Sequence, residues 1–166
     1  MGEILRHQPS SVGKKALRRE TPRKETLLKI YREHKPQLSL APFVKNLLAH
    51  WARNGRQIGI LTDGRSLTQR NKIRALGLDD YTNAIVISEE FGSEKPNVNN
   101  YRYFEERFPN STYVYVGDNL AKDFVAPNRL GWTTVGVLDR GNNIHAQHFE
   151  KVADEQLPRY VINAVA

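Results

Sequence analysis

The spacing of apolar residues changes partway along this chain. Up to about residue 55 they recur at helical intervals; beyond it they gather into short strand-like runs separated by helical stretches. Thr21 followed by Pro22 reads as an N-cap and a proline at the first helical position. Leu27, Leu28, Ile30 and Tyr31 then give the apolar stripe of a helix that ends near His34, where Lys35 and Pro36 break it. A second helix starts at about Pro42, turns Phe43, Val44, Leu47, Leu48 and Trp51 inward, and stops at Gly55. Ahead of these, residues 1–13 hold Gly, Pro and a Ser pair, and predict a poorly ordered tail.

From Gln57 onward the pattern alternates. QIGILT at 57–62 reads as a strand, followed by an Asp63-Gly64 turn and a helix from about Ser66 to Leu76 that Gly77 ends. AIVIS at 84–88 is the next strand, and the loop EEFGSEKPN leads to a helix over about 98–108 with Tyr101, Phe104 and Phe108 on one side. A strand over 112–117 follows, then a helix to Leu130 that Pro127 would kink or shorten, and last a strand at 133–137. Strands and helices alternating at this spacing predict an α/β fold with a doubly wound parallel sheet and right-handed crossovers. The division expected is a mainly helical 1–55 and an α/β core over 56–166.

Composition adds bounds. A chain of 166 residues, 39% of them hydrophobic, can build one core domain with a small appendage. It has no cysteine, which removes disulfides and cysteine-ligated zinc. No apolar run approaches the roughly 18 residues of a membrane span, and the basic N-terminus lacks the apolar centre of a signal peptide; the expectation is a soluble, cytoplasmic protein. The net charge of +7 favours anionic partners. Much of the excess lies in Lys14, Lys15, Arg18, Arg19, Arg23 and Lys24. Without interleaved aromatic residues to stack bases, that run reads as a solvated helix face and argues against nucleic-acid binding.

The candidate chemistry lies at strand ends. In an open parallel sheet the ligand sits outside the carboxyl ends of the strands, where Thr62, Ser88 and Asp118 fall on one rim. Thr62 with Asp63 and Gly64 offers a hydroxyl and turn amides at the start of a helix, a donor set that suits phosphate; the plainer alternative is an Asp-Gly turn present for geometry alone. Lys95, before Pro96, is biased toward extended backbone and can reach across the rim, although most lysines simply sit in water. Asp118 and Asp123 stand five residues apart after Gly117. They suit a hard cation such as Mg2+, or else a tight turn with a helix cap.

Taken in order, TDG after one strand, KP some thirty residues later and GDxxxxD after another strand resemble the second, third and fourth motifs of the haloacid dehalogenase (HAD) superfamily. The likeness runs from about Leu27 to Val137. It implies a HAD-like Rossmannoid core over 56–166, with 1–55 a tail and the remnant of a helical cap. By this resemblance Thr62 would hydrogen-bond a transferred phosphoryl oxygen, Lys95 would stabilise the phosphoryl group and the nucleophile, and Asp118 with Asp123 would position Mg2+. The activity implied is Mg2+-dependent hydrolysis of a small phosphorylated metabolite.

The family's first motif, an apolar strand ending DxDx(T/V), has no match. Aspartate occurs at 63, 79, 80, 118, 123, 139 and 154, and no two of these are separated by a single residue. The chain is therefore expected to be inactive by itself, with a sheet that lacks its first strand and exposes unpaired inner edges. A fragment of a longer enzyme, a degenerate relative, and a subunit that takes a strand from a partner or self-associates all satisfy this, and the first accords best with a sequence that opens partway through a cap. A non-catalytic HAD-like binding or regulatory module is the alternative function. The substrate is not legible.

Overall fold

The computed structural model describes residues 23–82, 84–141 and 146–163. Two helices come first, α1 (Lys24–Glu33) and α2 (Pro42–Arg53). The alternating part follows as β1 (Gly59–Thr62), α3 (Ser66–Ala75), β2 (Ala84–Ile87), α4 (Ser88–Phe91), α5 (Asn99–Arg107), β3 (Val114–Gly117), α6 (Val125–Arg129), β4 (Thr133–Leu138) and β5 (Tyr160–Asn163). Among the described residues no helix is long and apolar enough to cross a membrane.

All strand pairing among the described residues is parallel, as the alternation predicts. β1 lies on β2 with Gly59 opposite Ala84 and Thr62 opposite Ile87. β3 lies on β4 with Val114 opposite Thr133, and β4 on β5 with Val135 opposite Tyr160. The described strands form two sheets, β1-β2 and β3-β4-β5, with no ladder joining β1 to β3.

One helix serves both sheets. Tyr101 and Phe104 of α5 are buried in a cluster with Ala84 and Val86 of β2, Ala126 and Trp132. Strand alternation sends Tyr115 of β3, and Tyr113 just before it, towards this cluster. Tyr115 lies 5.3 Å from Tyr101 between ring centroids, and Tyr113 stacks on Trp132 at 4.6 Å. On the other side, Phe104 packs so closely under β1 that any side chain at Gly59 would run into its ring. The intervening residues of β3 face away, leaving Val114 and Val116 exposed.

Several expectations change. Thr21 and Pro22 lie outside the described residues, and Arg23 is the residue that precedes α1. In α2 the apolar stripe is present but does not turn inward: Phe43 and Trp51 are exposed, Val44, Leu47 and Leu48 are half-buried, and no residue of the helix is buried among the described residues. α6 is only five residues long, in keeping with Pro127 inside it. β5 was not anticipated, because its YVIN run follows a polar, irregular stretch that carries no strand signal.

The start of the loop expected after β2 is a helical turn, α4, and its acids explain why. Ser66 N–H donates to Glu89 Oε2 at 2.8 Å, which satisfies a free amide at the start of α3. Glu90 accepts from Arg70 Nη2 at 2.6 Å and Nε at 2.9 Å, and from the Ser66 hydroxyl at 2.5 Å. Arg70, followed by Ser66, holds the Glu90 carboxyl down to about 2.

Because the folded value lies below the unfolded one of 4.5, the contribution of this latch is complete above about pH 4.5 and lost as pH falls towards 2. Glu90→Gln should lower stability near neutral pH by roughly 0.5–1 kcal/mol, the small value reflecting partial exposure to water. Urea melts of both proteins should converge as pH drops through that window.

Candidate functional site

The carboxyl ends of β1, β2 and β3 bring the expected polar residues to one rim, where most are engaged with one another. After β1, the Thr62 hydroxyl donates to Gln69 Oε1 at 3.0 Å. The Gly64 amide, expected to face a phosphate, donates instead to Ser88 Oγ at 2.9 Å. Ser88 is buried, and its hydroxyl needs a partner there. The Asp63 carboxylate points across the rim, accepting from the Lys95 amide at 3.1 Å and from Lys122 Nζ at 3.3 Å. Lys122 also reaches Glu94 at 3.1 Å, and these carboxylates raise its pKa.

Lys95 reaches inward. Its peptide bond to Pro96 is cis, and its Nζ lies 2.6 Å from Asp123 Oδ1, with side chains 14% and 3% exposed. Tyr115 donates to the same oxygen at 3.2 Å and stands 3.4 Å from Lys95 Nζ. The other oxygen, Oδ2, accepts from the amides of Asp118 at 3.0 Å and Asn119 at 2.9 Å. Below, the Tyr101 hydroxyl donates to the Asp123 carbonyl at 3.2 Å. Burial, then the Asp123 charge, push both tyrosine hydroxyls well above the ordinary tyrosine value, so they remain protonated donors.

This geometry depends on Gly117. A Cβ there would sit 2.5 Å from Asp123 Oδ2, where the carboxylate now accepts its two amides. The glycine in GDxxxxD is thus required by the second aspartate folding back over the strand end.

The two carboxylates expected to share a metal have different surroundings. Asp123 has both oxygens occupied by Lys95, Tyr115 and backbone amides, so it does not face outward as a ligand. Asp118 is half-buried at the mouth of β3, and its carboxylate has no hydrogen bond or ion pair among the described residues. Its backbone is held by Gln147, whose Nε2 donates to the carbonyls of Asp118 at 2.7 Å and Val137 at 2.9 Å, while Oε1 accepts from the Asp139 amide at 2.9 Å. One free carboxylate at a strand end fits Mg2+, which takes few protein ligands and keeps several waters. Among the described residues no three potential ligands converge.

Sequence reasoning found Thr62, Asp63, Gly64, Lys95, Asp118 and Asp123, and the structure gathers them at one rim. It missed Gln69, Lys122, Tyr115, Tyr101 and Gln147 as partners, and placed Ser88 on the rim without its partner Gly64. Strand alternation could have marked Tyr115 as inward. Gln147 gives no local signal at all, since its role rests on where the chain returns 29 residues after Asp118.

A family model for haloacid dehalogenase-like hydrolases matches residues 3–137. A glyceraldehyde 3-phosphate phosphatase of Methanocaldococcus jannaschii is 31% identical over 113 residues, 67% of this chain and 46% of that protein. One from Methanopyrus kandleri is 36% identical over 112 residues, 66% of this chain and 46% of its own length. Among solved structures, the putative HAD-hydrolase YfnB from Bacillus subtilis bound to magnesium matches with a TM-score of 0.59 at 27% identity, covering 74% of this chain and 51% of that one. The chain spans about half the length of the curated relatives it matches.

Asp123→Asn leaves Lys95 buried without its counter-charge, and should destabilise the fold by about 3 kcal/mol. Tyr115→Phe removes one neutral donor to a charged acceptor and should cost about 1–2 kcal/mol. Denaturant melts would rank the two. Equal losses would mean that the ion pair is not what secures the rim.

Proposed function

Since this chain belongs to the haloacid dehalogenase-like hydrolase family, we propose that it carries the phosphate-binding and metal-holding part of a Mg2+-dependent phosphohydrolase for a small phosphorylated metabolite. The observation that carries this reading is the buried Lys95–Asp123 pair, closed by the amides of Asp118 and Asn119. It orients a lysine across the rim and leaves the neighbouring carboxylate of Asp118 free. The names of the phosphatase relatives support the substrate class.

In this reading the Thr62 hydroxyl and Lys95 Nζ receive the phosphoryl oxygens, with the turn at Asp63 and Gly64 closing that side. Asp118 holds Mg2+, and Asp123 acts one step back by fixing both Lys95 and the loop that carries Asp118. The bound cation would neutralise phosphoryl charge, which is where most catalysis of phosphoryl transfer lies. This sequence brings no DxD pair, so it supplies no carboxylate to attack phosphorus.

The second reading is a non-catalytic binding or regulatory module. It is favoured by the pairing of both rim lysines with carboxylates of the chain, Lys95 with Asp123 and Lys122 with Asp63 and Glu94. An anion would have to displace those partners to bind there.

Amide NMR shifts on Mg2+ titration should cluster at residues 117–124 and vanish in Asp118→Asn. Shifts scattered over exposed acids would overturn the metal reading. Separately, the purified chain should hydrolyse an aryl phosphate no faster than buffer, because the covalent route is missing. Mg2+-dependent turnover that disappears in Asp118→Ala would show that another group attacks.

A further inference from the structure

We infer that Gln147 is a positioning residue for Mg2+ at Asp118, setting the cation's affinity by fixing the main chain of its ligand from 29 residues further along the chain. This role rests on the reading of Asp118 as the protein ligand of Mg2+, and adds to it the group that keeps that ligand in place.

The ladder between β3 and β4 closes with Gly117 opposite Gly136. The next carbonyl on each strand, that of Asp118 and that of Val137, is taken by Gln147 instead. Its Nε2 donates to them at 2.7 and 2.9 Å, while its Oε1 accepts from the Asp139 amide at 2.9 Å. A side-chain amide has two N–H donors, and both are spent here. Turning the amide over would set its oxygen against two carbonyl oxygens, so these partners admit one orientation only. Gln147 is half-buried between exposed Ala146 and His148.

The peptide groups on both sides of Asp118 are therefore held. Its own N–H and that of Asn119 donate to Asp123 Oδ2, and its carbonyl accepts from Gln147. With φ and ψ fixed, the carboxylate has only its two side-chain torsions to settle when it meets a cation. Mg2+ demands near-ideal octahedral geometry, and a ligand whose main chain still had to be ordered would give up that entropy on binding. The two holders differ in kind. Asp123 also carries the ion pair with Lys95, so changing it disturbs the charge of the rim. Gln147 acts on main-chain atoms and is neutral, so it can be replaced without altering any charge there.

The competing role is a purely structural one, in which Gln147 only fastens the segment that returns after β4. Asn128 provides the comparison, because it fastens the same segment through residues other than Asp118. Its Nδ2 donates to the carbonyls of Glu155 and Leu157, each at 2.9 Å.

The test compares the full chain with Gln147→Met, which keeps the side chain's length and loses its hydrogen bonds, and with Asn128→Ala. In NMR titrations with Mg2+, Gln147→Met should raise the Kd about tenfold, the lower end for groups that orient a metal ligand, and Asn128→Ala should stay within about twofold of the natural chain. Before any Mg2+ is added, amide exchange at Asn119 should be faster in Gln147→Met, since the carbonyl of the same peptide group has been released. A further readout needs no variant: in the natural chain the two side-chain amide protons of Gln147 should shift along the same binding curve as residues 117–124. The positioning role is overturned, with the metal reading intact, if the natural chain binds at 117–124 and Gln147→Met binds equally well. It is overturned likewise if Asn128→Ala loses as much affinity, or if the Gln147 amide protons do not move at saturation. No shift at 117–124 in the natural chain would remove the metal reading and this role together.

Discussion

The ion pair between Lys95 and Asp123 is the contact on which the rest of the rim depends. Two charges taken this far out of water are stabilising only if their remaining valences are satisfied, and those of the Asp123 carboxylate are. Tyr115 and two backbone amides complete the carboxylate, and Tyr101 fixes its backbone from below. Because those amides belong to Asp118 and Asn119, the pair dictates the path of the loop leaving β3. Because the amide of Lys95 is itself held by Asp63 of the loop after β1, the same pair joins the ends of two sheets that share no ladder. A buried charge network of this kind resists small displacements, since breaking one contact strands another group without a partner.

Aromatic packing does beneath the sheets what charge does above them. Tyr101, Tyr115, Tyr113 and Trp132 form a chain of ring contacts from α5 through β3 to the start of β4, and Phe104 closes the same helix onto β1. Tyr101 and Tyr115 belong to both systems. Their rings pack in the apolar cluster while their hydroxyls serve Asp123, so the position of the ion pair and the position of the core cannot be changed independently.

Asp118 contrasts with its neighbours. Thr62, Asp63, Gly64, Lys95 and Asp123 all have partners within the chain, whereas the Asp118 carboxylate has none among the described residues and its backbone is pinned by Gln147. Fixing a carboxylate through its main chain while leaving its oxygens free suits it to an external cation. The first two helices show the opposite economy: they form, but their apolar faces meet little that is described.

Much of this was legible in local pattern. The alternation of strand and helix, the parallel pairing and the polar strand ends follow from residue spacing, because backbone hydrogen bonding and side-chain alternation are short-range constraints. The order of TDG, KP and GDxxxxD was enough to place the family, and the lack of a DxD pair is itself a property of the sequence. What only the tertiary structure decided was which polar groups face one another. Gly64 turned to Ser88 and Asp123 turned back to Lys95; Gln147 reached Asp118 from a distant part of the chain. Each of these choices is made by where buried donors find acceptors once the core has formed, and that energy depends on position in space, which spacing along a chain does not encode.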